Sequence, residues 1–330
     1  MGMRLKLWPT LVAAVVLADF AGLPGSAAAQ NYPDRVIRII VPFAAGGPVD
    51  VVARLVAQRM GPILGQSVII DNRTGGGGII GAKAVANAEP DGYTLLFGNV
   101  STLAVIPAIS RHKDYDPARS FVPVAKVSDS PEVLVVASSF PAHTVQELVA
   151  LARDNPGKLN YGSSGYGNAT HLVGEWFKAK MAVDVVHIPY KGLSEVVTGV
   201  LAGQVKYVFG AIEGVMPHIQ DGQLRALAVT SEKRFALMPD LPTMIESGVD
   251  GFVVSGFQGV VAPAGTSAAI VAKLNAAINE SVESPEMRAH LARLGATPAT
   301  GTPAEFAAFF AAEMHKWEGV VKTAGLLSME

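Results

Sequence analysis

Strand-like and helix-like segments alternate along almost the whole chain, in two successive series, and few folds satisfy that rhythm. The first series opens with the β-branched run RVIRIIVP (35–42). VDVVARLVAQRMGPIL (49–64) follows with helical spacing, Val51, Val52, Leu55, Val56 and Met60 falling on one face. Then come a strand (SVIID), a helix (IIGAKAVANA) closed by Pro90-Asp91-Gly92, and a strand (YTLLFG). VPVAKVS and EVLVVAS read as two longer strands with a Pro-containing turn between them.

The second series begins at Thr144, which with Glu147 makes a capping box for VQELVALARDN. LNYGSS, DVVHIPY, KYVFGA and LRALAVT read as strands, and NATHLVGEWFKAKM and LSEVVTGVLAGQ as helices. From Ser267 onward the chain reads mainly helical, with starts marked by Ser284-Pro285 and by the box Thr302-Pro303-Ala304-Glu305. The rhythm predicts α/β units with mainly parallel sheets. Two series joined near 125–140 and 228–255 predict a chain that leaves one lobe, builds a second and returns. Residues 30–130 and 235–330 form lobe 1 in this reading, and 131–234 form lobe 2. Ligands of open α/β sheets sit beyond the C-terminal strand ends, at helix N-termini, so two such lobes would face each other across one cleft.

Residues 1–29 read as a secretory signal peptide. Arg4 and Lys6 precede an apolar run, and Ala27 and Ala29 fit a small-residue cleavage rule, giving a mature start at Gln30 and a periplasmic location. The chain has no cysteine, which excludes disulfides, Cys-zinc sites and thiol nucleophiles. A net charge of −2 with no basic run gives no footprint for nucleic acid.

Three loops have the strand–loop–helix context of an anion site: Pro42 to Asp50, Asn72 to Gly78, and Tyr161 to His171. The second contains Gly76, Gly78 and Gly81, a G-x-G-x-x-G spelling. A dinucleotide site would want an acid about 20 residues on, and the chain reads GNVSTLAV there. A P-loop needs Lys and then Ser or Thr after the last glycine, where Ala82, Lys83 and Ala84 stand. A nucleophile elbow fails as well, because the fifth residue from Gly162 is Tyr166. No two of the seven histidines have H-x-x-x-H spacing for zinc. No metal and no cofactor is therefore expected. His171 lies near Ser164 in sequence, which leaves an exported hydrolase as the alternative to a binding protein.

At these loops the chain resembles the substrate-binding proteins of tripartite tricarboxylate transporters, the Bug receptors. The resemblance rests on YPDRVIRIIVPFAAGGPVDVVAR, NRTGGGGIIGAKAVANAEPDGYTLL, YGSSGYGNATHLVGEWFK, HIPYKG, LRALAVTSEKR and VAPAGTS, in that order. It implies a two-lobed type II periplasmic binding fold, a Venus flytrap with two crossover segments, that closes on a small organic carboxylate. It implies delivery to membrane permease subunits by a monomer without enzymatic activity; an orphan receptor that signals to a membrane sensor is the variant reading. The ligand contacts it implies are Phe43, Ala45, Gly46, Gly47, Val49 and Asp50 from the first loop. From the second lobe it implies Ser163, Ser164, Gly165, Gly167, Asn168, Thr170, Tyr190 and Ala211. The glycine run is expected to shape the cleft wall. Val49 stands where the family often has Thr, and Gly210-Ala211 where it often has Asp-Asn. The loss of that carboxylate predicts a ligand without an amino group, a mono- or dicarboxylate, aliphatic or aromatic.

Overall fold

The computed structural model describes residues 1–2, 32–110 and 114–323. The apolar run and cleavage point of the leader lie outside the described residues. The described residues from Pro33 onward form one compact unit.

Strand β1 (Ile37–Val41) pairs in parallel with β2 (Val68–Asn72) on one side and β3 (Thr94–Asn99) on the other. Helix α1 (Pro48–Leu64) crosses from β1 to β2, and Val52, Ala53, Val56 and Met60 on its inner face are buried. Helix α2 (Ile79–Ala86) makes the next crossover, from β2 to β3. The four glycines before it, Gly75 to Gly78, all have positive φ, which side chains rarely tolerate. A Cβ at Gly78 would lie 2.3 Å from Thr102 Cγ2, and one at Gly81 would lie 2.8 Å from Pro42 Cβ. The run is built for a tight turn and close approach of backbones.

Strand β4 (Phe121–Ala137) is one strand of 17 residues where the sequence reading expects two strands and a turn. Pro131 sits where the strand changes partners, so its missing N–H interrupts no continuing ladder. Up to Pro131, β4 pairs with β9 (Ser255–Pro263); from Glu132 it pairs with β7 (Tyr207–Ala211), and from Val133 with β8 (Leu224–Val229). Its side chains are buried on both faces: Leu134 and Val136 join an aromatic core with Tyr161, Phe177, Phe209 and Trp317, whereas Val133 and Val135 join a valine-rich core with Val196, Val200 and Val208.

The second series supplies α3 (Val145–Asp154), β5 (Asn160–Ser163), α4 (Ala169–Met181), β6 (Val186–Pro189) and α5 (Leu193–Leu201). β5 pairs in parallel with β6 and β7. The main sheet order is β2-β1-β3-β9-β4-β7-β5-β6. The sheet is parallel at its two ends and antiparallel around β4 and β9, which corrects the expectation of mainly parallel pairing throughout. β4 carries the chain from the first half to the second and β9 carries it back, so the two lie antiparallel. Helix α6 (Ile212–Gln220) has no counterpart in the sequence reading; Gly214 and Pro217 obscure its helical pattern. The chain ends in α7 (Ala268–Glu283), α8 (Pro285–Arg293) and α9 (Pro303–Thr323). The expected capping box of Thr302 with Glu305 is formed; at the other, Thr144 Oγ1 accepts from the Glu147 N–H, but the Glu147 carboxylate accepts from the His143 N–H, one residue before the cap.

Candidate functional site: a cleft at the strand ends

A cleft of ≈ 570 Å³ opens where the loops after β1, β3, β5, β6 and β7 meet. Its first wall begins at Gly47, whose extended backbone leads into Pro48 at the first position of α1. Asp50 locks this loop from beneath. Its carboxylate accepts from the Gly46 N–H, Arg54 Nε and Asn72 Nδ2, each at 2.8 Å, while Asn72 also donates to the Phe43 carbonyl at 3.0 Å. Burial opposes ionisation of Asp50, but the hydrogen bonds from Arg54, Gly46 and Asn72 outweigh it and hold the carboxyl below its usual range. The N–H groups of Val49 and Asp50 have no hydrogen-bond partner among the described residues.

The facing wall is the loop between β5 and α4. Asn168 caps α4, its Oδ1 accepting from the His171 N–H and from Thr170 Oγ1. Thr170 Oγ1 in turn accepts from the Ser164 N–H at 2.9 Å. These bonds fix the loop and leave the first-turn N–H groups of Ala169 and Thr170 without a partner among the described residues. The N-termini of α1 and α4 thus present donors to one cavity, an arrangement that attracts an anion.

Of the residues implied by sequence, Phe43, Gly47 and Val49 line the cleft from the first loop. Ser164, Asn168, Thr170 and Ala211 line it from the other side. The rest lie off the wall. Ala45 and Gly46 form the exposed crown of their loop, and Asp50 is buried behind it. Ser163 is fully buried, and Gly165 and Gly167 supply the positive φ of the turn. Tyr190 packs over Gly199, where a Cβ would meet its hydroxyl at 2.5 Å. From the glycine run only Gly77 reaches the cavity.

The cleft also contains residues that the sequence reading missed. Glu132 and Glu213 both line it, with Ser130 and Gln258 beside them. Glu132 stands opposite Ala211 in the β4–β7 ladder, and Glu213 lies in the first turn of α6, two residues further on. The expectation that Gly210-Ala211 leaves this region without a carboxylate is therefore corrected: two carboxyl groups occupy it. Burial, then the neighbouring Glu213, pushes the Glu132 carboxyl up to about 8, against a smaller opposing pull from Lys316. Burial also raises Glu213, although its own backbone N–H and Ser130 hydrogen-bond to it. An acid opening an otherwise apolar strand, as in SPEVLVVAS, was the one available signal.

The hydrolase alternative finds no support in this geometry. His171 Nδ1 accepts from the Gly167 N–H, and Ser164 Oγ lies against Thr170 Oγ1 at 3.3 Å, so the two do not pair. Ser163 Oγ and His187 Nε2 do lie 2.6 Å apart, but Ser163 is fully buried and His187 Nδ1 has no partner to orient it. The two imidazoles stack at 4.0 Å. Burial lowers His171 to about 4; burial and then His171 lower His187 to about 3. Both are structural, neutral rings. Among the described residues no group of three His, Asp or Glu could hold a metal ion, and no helix is long and apolar enough to cross a membrane.

Two α/β halves joined by long crossover strands, with a donor-lined cleft at their strand ends, define a two-lobed solute receptor of the type II periplasmic binding fold, which is the fold of the solved relatives. The particular family follows from the sequence. The chain belongs to the tripartite tricarboxylate transporter family receptors, whose family model matches residues 52–326. It is 38% identical to the protein BugT of Bordetella pertussis over 306 residues, 92% of this chain and 94% of that protein. Among solved structures it resembles Rpa4515 of R. palustris with adipate, at 37% identity and a TM-score of 0.81, over 89% of this chain and 98% of the other. It also resembles MatC of Rhodopseudomonas palustris with bound malate, at 33% identity and a TM-score of 0.80, over 88% and 100%. These proteins are receptors and not enzymes, and so is this one.

Proposed function

We propose that this protein captures a small organic carboxylate in the cleft and delivers it to the membrane permease subunits of a tripartite tricarboxylate transporter. Residues 30–130 with 235–330 act as one lobe and 131–234 as the other, and the protein works in the periplasm after removal of residues 1–29. The observation that carries the reading is the convergence of the α1 and α4 N-termini, with unpartnered N–H groups, on one cavity. A carboxylate there gains charge-assisted hydrogen bonds without needing a lysine or arginine from either loop. Adipate and malate in the two related receptors support the same ligand class.

A thermal-shift panel of carboxylates on the purified mature chain tests it. A ligand at a hundredfold excess over its Kd adds about 2.7 kcal/mol to the folded state. Stabilisation by one or more carboxylates and by no neutral analogue supports the reading. Indifference of a folded protein to every carboxylate, with or without further functional groups, defeats it.

A further inference from the structure

The cleft has two chemically opposite walls. One presents donors: the N-termini of α1 and α4, with Ser164 and Thr170 beside them. The other presents acceptors. Glu132 is 4% exposed and Gln258 is 6% exposed; both line the cavity, and Glu132 Oε2 and Gln258 Oε1 are buried without a hydrogen-bond partner. Glu213 lines it too, and its Oε2 is likewise unpartnered. β4 sets Ser128, Ser130 and Glu132 at alternate positions, hence on one face, and Gln258 of β9 is the cross-strand partner of Ser128.

Three buried oxygens without donors are costly in a folded protein. Water in an open cleft can satisfy them; a ligand that closes the cleft must either bring its own N–H or O–H groups or dock against carboxyls that keep their protons. A simple dicarboxylate brings only acceptors, and negative charge, against two carboxyl groups. The surrounding charges do not change this. Lys316 of α9 is committed to Glu313 of the same helix at 2.5 Å. Lys191 lines the cleft after β6 on an exposed turn; Glu195 accepts from its backbone N–H, and its ammonium does not hydrogen-bond any of the three unpartnered oxygens.

We propose that the wall of Glu132, Glu213 and Gln258 receives a protonated amino group, so that the solute is an amino carboxylate with its carboxylate at the helix N-termini. This deepens the proposed function and rests on it. A primary ammonium carries three N–H donors for the three unpartnered oxygens and a positive charge for the acidic pair. Because burial holds Glu132 protonated near neutral pH, ammonium binding displaces a proton from the pair. A simple carboxylate docked against the same wall would need that proton kept.

Calorimetry on the mature protein, with matched pairs of acids, tests this. The pairs are aspartate with succinate, glutamate with glutarate, 4-aminobutanoate with butanoate and 6-aminohexanoate with hexanoate. In one or more pairs the amino member is expected to bind at least tenfold tighter. Its affinity is expected to rise between pH 6 and pH 8, by at most about tenfold per pH unit, with proton release seen as a dependence of heat on buffer. Glu132→Gln and Glu213→Gln are expected to remove the tenfold preference. Glutamine matches the neutral acid in shape, so both variants should fold, and circular dichroism checks it. Equal or tighter binding of the amino-free member in every pair overturns this inference and leaves the carboxylate receptor standing. A preference that survives both substitutions overturns the assignment to this wall. No binding by any member of any pair overturns the inference and the receptor reading's amino- and amino-free acids together, whereas other carboxylates in the thermal-shift panel would still rescue the latter alone.

Discussion

Replacing Glu132 by Gln should stabilise the empty protein by an amount that grows with pH. In the unfolded chain this carboxyl ionises near 4.5; in the folded protein burial, followed by the field of Glu213, holds its proton up to about 8. Between those values the native state binds more protons than the unfolded state, so wild-type stability falls as pH rises. Glutamine has no proton to lose, and its neutral amide resembles the neutral acid. The difference between variant and wild type therefore opens from its value at pH 4.5 by at most about 1.4 kcal/mol per pH unit. That gives about 3 kcal/mol at pH 7 and a plateau near about 5 kcal/mol above pH 8, as ceilings. Relaxation of Lys316 toward the ionised carboxylate would lower the plateau without changing its sign.

The assay is urea unfolding of the ligand-free protein at pH 5, 6, 7 and 8, wild type beside Glu132→Gln and Glu213→Gln. Both variants should gain on wild type as pH rises, because the carboxyl of Glu213 is raised by burial as well. A difference that stays constant across this range, or one in which wild type gains with pH, would show that the carboxyl group is not held neutral and would refute the reasoning. A saturating amino-carboxylate ligand should shrink the gap, since it supplies the positive charge that the empty wall lacks.

Other outcomes follow from the same geometry. Gly78→Ala places a Cβ at φ +112° and 2.3 Å from Thr102 Cγ2, and should cost about 2 kcal/mol or more of stability in urea unfolding. Thr170→Val removes the acceptor of the Ser164 N–H and should cost about 1–3 kcal/mol in the same assay, with weaker carboxylate binding by calorimetry. The ring protons of His171 and His187 should not titrate between pH 8 and pH 5 by NMR, since burial depresses both to about 4 and about 3. Because the unfolded rings take protons near 6.5, the two histidines should make stability fall as pH drops below that value.

The alternating rhythm was legible because each helix and strand of the two series carries its own period and its own punctuation. α1 shows the helical spacing of Val52, Val56 and Met60, α3 begins at the expected Thr144 cap, and α9 at a box that the structure forms. What failed was connected with the crossovers. SDSPE reads as a turn by local chemistry, and only the change of partners from β9 to β7 and β8 makes it the middle of one strand. β9, with glycines at 256 and 259, lacks a strong strand signal; its place between β3 and β4 is set by pairing with residues more than 120 positions away. The loops of the cleft were legible for the opposite reason. Their glycines and hydroxyls serve local caps and turns, so the sequence around them carries the information.

The acidic wall could not be read locally, and its position shows why. Residues 210 and 211 by themselves place no carboxylate at the end of β7. At Gly210 no side chain can stand without rearrangement, because a Cβ there would lie 2.7 Å from Val215 Cγ1 and 3.2 Å from Leu193 Cδ1. Gly210 is also off the cavity wall, while Ala211 is on it. One turn further on, Glu213 reaches the cleft from α6, and Glu132 reaches it from the strand that pairs with Ala211. The carboxyl groups are thus supplied by a helix turn and a crossover strand about 80 residues apart in sequence, brought together by the β4–β7 ladder. An aspartate at position 210 would strain the packing of α5 and α6 before it added a charge to the cleft. The carboxyl groups on the cleft wall are those of Glu132 and Glu213, and each of them read alone is an ordinary acid at the edge of an apolar run.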